Sequence, residues 1–149
     1  MATTDCPLCS SDGGVLVFRA PRFRVIWADQ ESDFPAFYRV VWTKHVAEFS
    51  DLSLADQHLC MSAVTQVERV LRQQLQPAKI NLASLGTVVP HLHWHVIARF
   101  DWDNRYPQPV WGTAQRARDH GKLQKLLAQR ASVERALVQA LNSLTPLET

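Results

Sequence analysis

The stretch "PHLHWHVIARF" (residues 90–100) places three of the chain's six histidines at alternate positions within five residues. At this chain's own histidine frequency of ~4% per position, such a triple arises by chance in roughly one chain of this length in a hundred. The run is rich in β-branched and aromatic residues and alternates with period two, which predicts a strand over 91–97. Side chains on a strand point alternately to opposite faces, so His91, His93 and His95 share one face and Leu92, Trp94, Val96 and Ala98 the other, which reads as core. Along a strand the imidazoles stand ~6–7 Å apart, too far for all three to hold one metal ion. The spacing suits one imidazole doing chemistry with another beside it, because imidazole titrates near neutrality and serves as nucleophile, base or acid.

Working outward, "GVLVFRA" (14–20), "FRVIWAD" (23–29), "FYRVVWT" (37–43) and "KINLASL" (79–85) read as further strands, the first three joined by short connections that favour antiparallel pairing. Between the third and fourth, Ser53 followed by Asp56 signals a helix start. Cys60, Val64, Val67, Leu71 and Leu75 then recur along one helical face, and Pro77 lies beyond its end. Residues 101–115, with two of the five tryptophans, Trp102 and Trp111, among prolines and a glycine, predict a long loop of the kind that often carries function. Helical pattern resumes at Ala117 and is expected to break near Ser132. Val133, Ala136, Leu137, Ala140, Leu141 and Leu144 form a second amphipathic face before Pro146. About five strands with helices on separate segments predict an α+β class: an antiparallel sheet with a central and a C-terminal helix, in one domain over 1–149.

Composition narrows the function. A net charge of +2 is too small to argue for nucleic-acid or membrane binding through bulk electrostatics. No apolar run approaches the ~20 residues that span a bilayer. The opening "MATTDCPLCSSDGG" has no basic segment followed by an apolar one, so a cytoplasmic protein is expected. Three cysteines in such a chain argue against a disulfide framework. Cys60 reads as a small buried apolar residue. Cys6-Pro7-Leu8-Cys9 has the spacing of a zinc knuckle, but supplies only half of a site.

The run His91-Leu92-His93-Trp94-His95-Val96-Ile97 resembles the signature of the histidine triad (HIT) superfamily, in which three histidines alternate with hydrophobic residues. "WADQESDFPAFYRVVWTKH" (27–45) is similar to the nucleoside-binding stretch of that family, and the likeness extends over roughly residues 5–102. It implies a HIT-like fold and a nucleotide hydrolase or nucleotidyl transferase acting at an α-phosphate. Its substrate would be a purine nucleotide conjugate, such as a nucleoside phosphoramidate or a dinucleoside polyphosphate. His93 would be the nucleophile, His95 would hydrogen-bond the phosphate or leaving group, and His91 would orient the cluster. Asn81 and the segment at Gly86 and Thr87 would hold phosphate oxygens, Asp29 the ribose hydroxyls, and Trp27 would line the base pocket. Some bacterial members carry a Cys2His2 zinc site. Its four ligands would here be Cys6, Cys9, His45 and His91, with zinc in a structural role. The resemblance also implies a homodimer.

The chain departs from the common family pattern before the triad. Gly86-Thr87-Val88 replaces Gly-Gln-Ser or Gly-Gln-Thr, which leaves one hydroxyl as side-chain donor. That departure supports an alternative, a slow-turnover nucleotide-binding sensor that retains the triad. A zinc-stabilised interaction module with no nucleotide site is a third class. Trp94 reads as core. Trp102, Tyr106 and Trp111 read as packing residues or as a lid over the leaving group, and His58 and His120 as surface residues.

Overall fold

The computed structural model describes residues 4–144, so the expectation attached to Pro146 and the ends of the 1–149 span lies outside the described residues. Five strands are formed: β1 (Val15–Arg19), β2 (Phe23–Trp27), β3 (Phe37–Trp42), β4 (Lys79–Ala83) and β5 (His93–Arg99). They make one antiparallel sheet in the order β1-β2-β3-β5-β4. Helices are α1 (Pro7–Ser10), α2 (Leu54–Leu75), α3 (His120–Ala128) and α4 (Arg130–Asn142). The α+β class and the antiparallel sheet are as the alternation predicts.

Helix α2 begins where Ser53 Oγ accepts from the Asp56 backbone N–H at 3.1 Å. The Asp56 carboxylate pairs with Arg22 instead of turning back to the cap, so only half of a capping box is built. Gln76, in the left-handed conformation, ends the helix ahead of Pro77.

Period-two alternation assigns the two sheet faces. Phe23, Val25, Tyr38, Val40, Val96 and Ala98 meet Cys60, Ala63, Val64, Val67 and Leu71 of α2 and Val133, Leu137 and Leu141 of α4 in one core. The opposite face carries Ile26, Arg39, Val41, His93, His95, Ile97 and Asn81, and is only partly covered, by α1 at one end and the 101–118 segment at the other. That uncovered face is where polar chemistry has room.

Three expectations are corrected. The triad strand starts at His93, not His91, because Pro90 has no N–H to give and the His91 N–H turns back to the Val89 carbonyl at 2.8 Å. The C-terminal helix pair breaks at Gln129, not near Ser132, which lies in the first turn of α4. The edges of β1 to β4 fall one or two residues inside the predicted runs.

Leu137 is fully buried between α4, α2 and the sheet. Leu137→Ala should lower unfolding free energy by about 2–5 kcal/mol, measured by urea titration, since a core leucine loses both transfer energy and packing.

Candidate functional site

His91 sits at the sheet end, fully buried, with each ring nitrogen committed. Nε2 is 2.6 Å from the Trp42 carbonyl, to which only an N–H can be matched, so the proton is on Nε2 and Nδ1 is bare. Nδ1 faces Cys6 Sγ at 3.4 Å, Cys9 Sγ at 3.5 Å and His45 Nδ1 at 3.2 Å, and His45 Nδ1 in turn stands 3.3 Å from Cys9 Sγ. The four donor atoms all lie within 4.8 Å of one another, an arrangement that could hold a metal ion. The spacing argument thus finds its partners: the knuckle is brought to His45 and His91. Arg24 secures it. Its buried guanidinium donates to the Leu8, Ser11 and Asp12 carbonyls at 2.8, 3.0 and 3.0 Å, tying α1 down over the sheet.

His93 follows on the histidine face. Its Nδ1 is 2.6 Å from the His91 carbonyl, so Nδ1 carries the proton and Nε2 keeps a free lone pair. His95 lies next along the strand, ring centres 5.0 Å from His93 and nearly perpendicular. The rings converge, closer than the straight-strand expectation. Burial first, and then the positive charge of Arg39, holds His93 below the usual imidazole range against the opposing bond to the His91 carbonyl. Burial, Arg39 and His93 together lower His95 to about 4.

Asn81, on β4, reaches the same face beside Ile97. Its Oδ1 accepts from Arg99 Nη1 at 2.9 Å, which leaves its amide N–H groups as the outward donors. Arg99 is itself buried against Asp103, with Nε–Oδ2 at 2.8 Å and Nη2–Oδ1 at 3.0 Å. Asp103 also accepts backbone N–H bonds from Phe100, Arg105 and Tyr106. Burial alone would raise the Asp103 carboxyl, but the Arg99 hydrogen bonds and charge and these N–H groups bring it below its ordinary value. The 101–118 segment is therefore irregular but clamped. Arg39, Arg99, Asp103 and Arg24 were not singled out by sequence.

Other predicted residues lie further off. Gly86 has a φ of +69°, in the region that favours glycine, and Thr87 is exposed in the turn ahead of the triad. Trp27 alternates with Val25, so its partly buried ring packs on the helix-covered face. Its Nε1 donates to the Pro35 carbonyl at 2.9 Å, and the Arg130 guanidinium sits 3.6 Å from its ring centre. Trp27 and Asp29 share a cleft of about 280 Å³ with Glu31, Ser32 and residues of α3. Trp94 packs against the core and meets Phe49 edge-on. Trp102 stacks on Phe100, while Trp111 is exposed and borders a groove of about 480 Å³ with Asn81, Leu85 and Ile97. His58 and His120 are exposed.

A five-stranded antiparallel sheet presenting alternating histidines, with a Cys2His2 cluster at its end, defines a histidine triad architecture. The HIT domain family matches residues 15–102, and the chain belongs to that family. Among solved structures it is similar to a histidine triad protein from Bradyrhizobium japonicum, with 29% identity over 85% of this chain and 92% of that one and a TM-score of 0.68. A histidine triad protein from Marinobacter aquaeolei, at 24% identity, covering 87% and 90% with a TM-score of 0.67, and one from Sinorhizobium meliloti, at 23%, covering 85% and 89% with a TM-score of 0.65, share the fold. No curated protein matches the chain. The family comprises, in general, nucleotide-binding hydrolases and transferases. Among the described residues no helix is long and apolar enough to cross a membrane.

The depressed His95 predicts a pH dependence. An unfolded imidazole titrates near ~6.5. With the folded value below the unfolded one, the contribution to stability is complete above ~6.5 and is lost as pH falls toward about 4. Unfolding free energy should drop by roughly 3 kcal/mol from this group across that window. His95→Gln should flatten the decline in urea titrations run at pH 4 to 7 (approximate bounds).

Proposed function

We propose that the protein is a nucleotide hydrolase or nucleotidyl transferase that works through a covalent nucleotidyl-His93 intermediate. The observation that carries this reading is the 2.6 Å contact from His93 Nδ1 to the His91 carbonyl. It commits one nitrogen to holding the proton and leaves the other as a lone-pair donor on the open sheet face.

In this reading His93 Nε2 attacks the α-phosphorus and a P–N bond forms as the bond to the leaving group breaks. Water or a second acceptor then attacks phosphorus and the P–N bond breaks, so two displacements give net retention. His95 Nε2 hydrogen-bonds the phosphate or leaving group, the outward amide of Asn81 binds a phosphate oxygen, and the Gly86–Thr87 segment ahead of the triad is assigned to further phosphate oxygens. The nucleoside end, a purine in the favoured reading, is assigned to the cleft of Trp27 and Asp29, with Asp29 on the ribose hydroxyls. Glu31 lines that cleft and also stands 3.7 Å from Arg39, whose other side touches His95, so cleft and histidines adjoin. A two-fold dimer belongs to the same proposal, with the free edge of β4 and its exposed Leu82 as the meeting surface. A cytoplasmic location and the absence of nucleic-acid and membrane partners complete it.

The metal is proposed to be zinc. Tetrahedral zinc, with bonds of about 2.3 Å to sulfur and about 2.0–2.1 Å to nitrogen, spaces its ligand atoms about 3.3–3.8 Å apart. Four of the six separations here run from 3.2 to 3.5 Å and all lie within 4.8 Å, close to that requirement. The bare Nδ1 of His91, ringed by two thiols and His45 Nδ1, presents a lone pair to such a cation. The Trp42 carbonyl would act as outer-shell partner, fixing the His91 tautomer. With four protein ligands the site is closed, so zinc supplies structure rather than activated water.

Purified protein should hold close to one zinc per chain, by atomic emission. Cys9→Ser should lose the metal and melt at lower temperature, since structural zinc contributes folding energy. Retention of full zinc by that variant would refute the ligand set.

His93→Ala should lower kcat by about 10⁴-fold or more while leaving nucleotide affinity within a few-fold, because the lost interaction belongs to the transition state. Rapid alkaline quenching of the unmodified protein should trap one nucleotidyl group on His93. Burst labelling followed by slow release would identify the sensor instead, and substantial turnover by His93→Ala would remove the nucleophile role.

A further inference from the structure

Arg39 lies on β3 directly opposite His95 in the register, on the histidine face. Its Nε–H donates to His95 Nδ1 at 3.2 Å. The guanidinium is steadied from two other sides, with its carbon 5.0 Å from the Phe37 ring centre and Nη2 3.7 Å from Glu31 Oε1. The Phe37 ring also meets His95 edge-on, at 5.4 Å between centres, so the imidazole is held in place by both neighbours.

Arginine donates and never accepts. His95 Nδ1 must therefore be the acceptor, and the one proton of the neutral ring sits on Nε2. His93 is the reverse, protonated on Nδ1 by its bond to the His91 carbonyl. Two adjacent imidazoles thus hold opposite tautomers, each enforced by a different partner. A second proton on His95 would have to enter at Nδ1, against a guanidinium already there. Removal of the Nε2 proton would create an imidazolate. His95 is consequently a hydrogen-bond donor and not a proton source.

We infer that Arg39 is a specificity-determining residue: by fixing His95 as a neutral Nε2–H donor, it directs the site to nucleotide conjugates joined through a phosphoanhydride and against phosphoramidates. The inference rests on the nucleotidyl-transfer reading above and names its leaving-group class. With an anhydride, the His93 Nε2 lone pair forms the N–P bond and the bridging P–O bond breaks. Its electron pair stays on the bridging oxygen, which departs as a phosphate anion hydrogen-bonded to His95 and needs no proton. Water then attacks phosphorus, the N–P pair returns to His93, and the proton of water passes to solvent. With a phosphoramidate, the breaking P–N bond would leave its pair on a strongly basic amine nitrogen, which departs only when protonated. The groups around His95 do not supply that proton: the Arg39 guanidinium keeps its protons near neutrality, Glu31 stands on the far side of that guanidinium, and His93 uses its proton on the His91 carbonyl. The lowered basicity of His95, caused by burial, Arg39 and His93, agrees with the geometry.

The test uses the zinc-loaded full chain with two adenosine substrates, a dinucleoside polyphosphate and an adenosine 5′-phosphoramidate, and repeats both with guanosine forms. The anhydride should be favoured in kcat/KM by about 100-fold or more, the usual worth of a general acid that the phosphoramidate lacks. Arg39→Leu, which removes donor and charge, should narrow that ratio by about 10-fold or more through faster phosphoramidate turnover. Long-range 1H–15N spectra of the unmodified protein should give His95 protonated on Nε2 and His93 on Nδ1, a measurement independent of turnover and of how the variant folds. Equal turnover of the two substrates, or an Nδ1-protonated His95, would overturn the inference and leave the nucleotidyl-transfer reading standing. No nucleotidyl label on His93 from either substrate would remove that reading and the inference together.

Discussion

His91 is the joint on which the rest is hung. Its Nε2–H is spent on the Trp42 carbonyl, its bare Nδ1 faces the two thiols and His45, and its own carbonyl takes the Nδ1 proton of His93. One residue therefore links β3, the N-terminal knuckle and the protonation pattern of the next histidine. A shift of the knuckle moves the imidazole, the imidazole moves the backbone, and the backbone carries the carbonyl. The cluster's His91 and the imidazole of His93 stand two residues apart, so one short run of histidines belongs to both groupings.

The histidine face is built by placing charge behind neutral groups. Three arginines stand against it at three points. Arg24 gathers the carbonyls of the knuckle, Arg39 backs His95, and Arg99 backs Asn81. In the last two cases the guanidinium takes the acceptor atom of its neighbour, and the neighbour is left with donors for anything in front of it. Buried arginine is expensive unless its hydrogen bonds are filled. Here carbonyls, an amide oxygen, a ring nitrogen and the Asp103 carboxylate fill them, so the cost is offset and the orientation of the polar side chains is fixed before any ligand arrives.

What the sequence made legible follows from how local each signal is. Alternation in "HLHWHVIA" and in the other apolar runs is a property of neighbours, and the strands, the sheet class and α2 were read from it. The metal quartet needed two distant segments and was reached only through the resemblance, since Cys6–Cys9 alone is half a site. The arginines were missed because an arginine in "FYRVVW" or "VIARF" has the same letters whether it faces solvent or a histidine; the answer depends on which strand pairs with which, and β3 pairs with β5 across an intervening helix and strand. Trp27 carries two signals at once. Its alternation with Val25 assigns it to the covered face, and its partly buried ring also lines the cleft with Asp29. The break expected near Ser132 falls at Gln129 because both helices that meet there carry continuous helical pattern, which leaves its position open by a turn.

The Arg99–Asp103 pair has a bearing on how such a protein diverges. Asp103 takes the opening of the 101–118 segment in hand, accepting from Phe100, Arg105 and Tyr106, and Arg116 closes the far end onto the Asp103 and Tyr106 carbonyls at 2.7 and 2.6 Å. Both anchor points are made by a few polar groups, and the stretch between them, including Pro109, Val110 and Trp111, borders the groove beside Asn81. Within such a clamped span Val110 packs against the Ile97 cluster, while the exposed Trp111 is free to change in size and polarity without moving the sheet. A lineage can thus remodel one wall of the groove while the histidines, the knuckle and the fold stay under separate constraint.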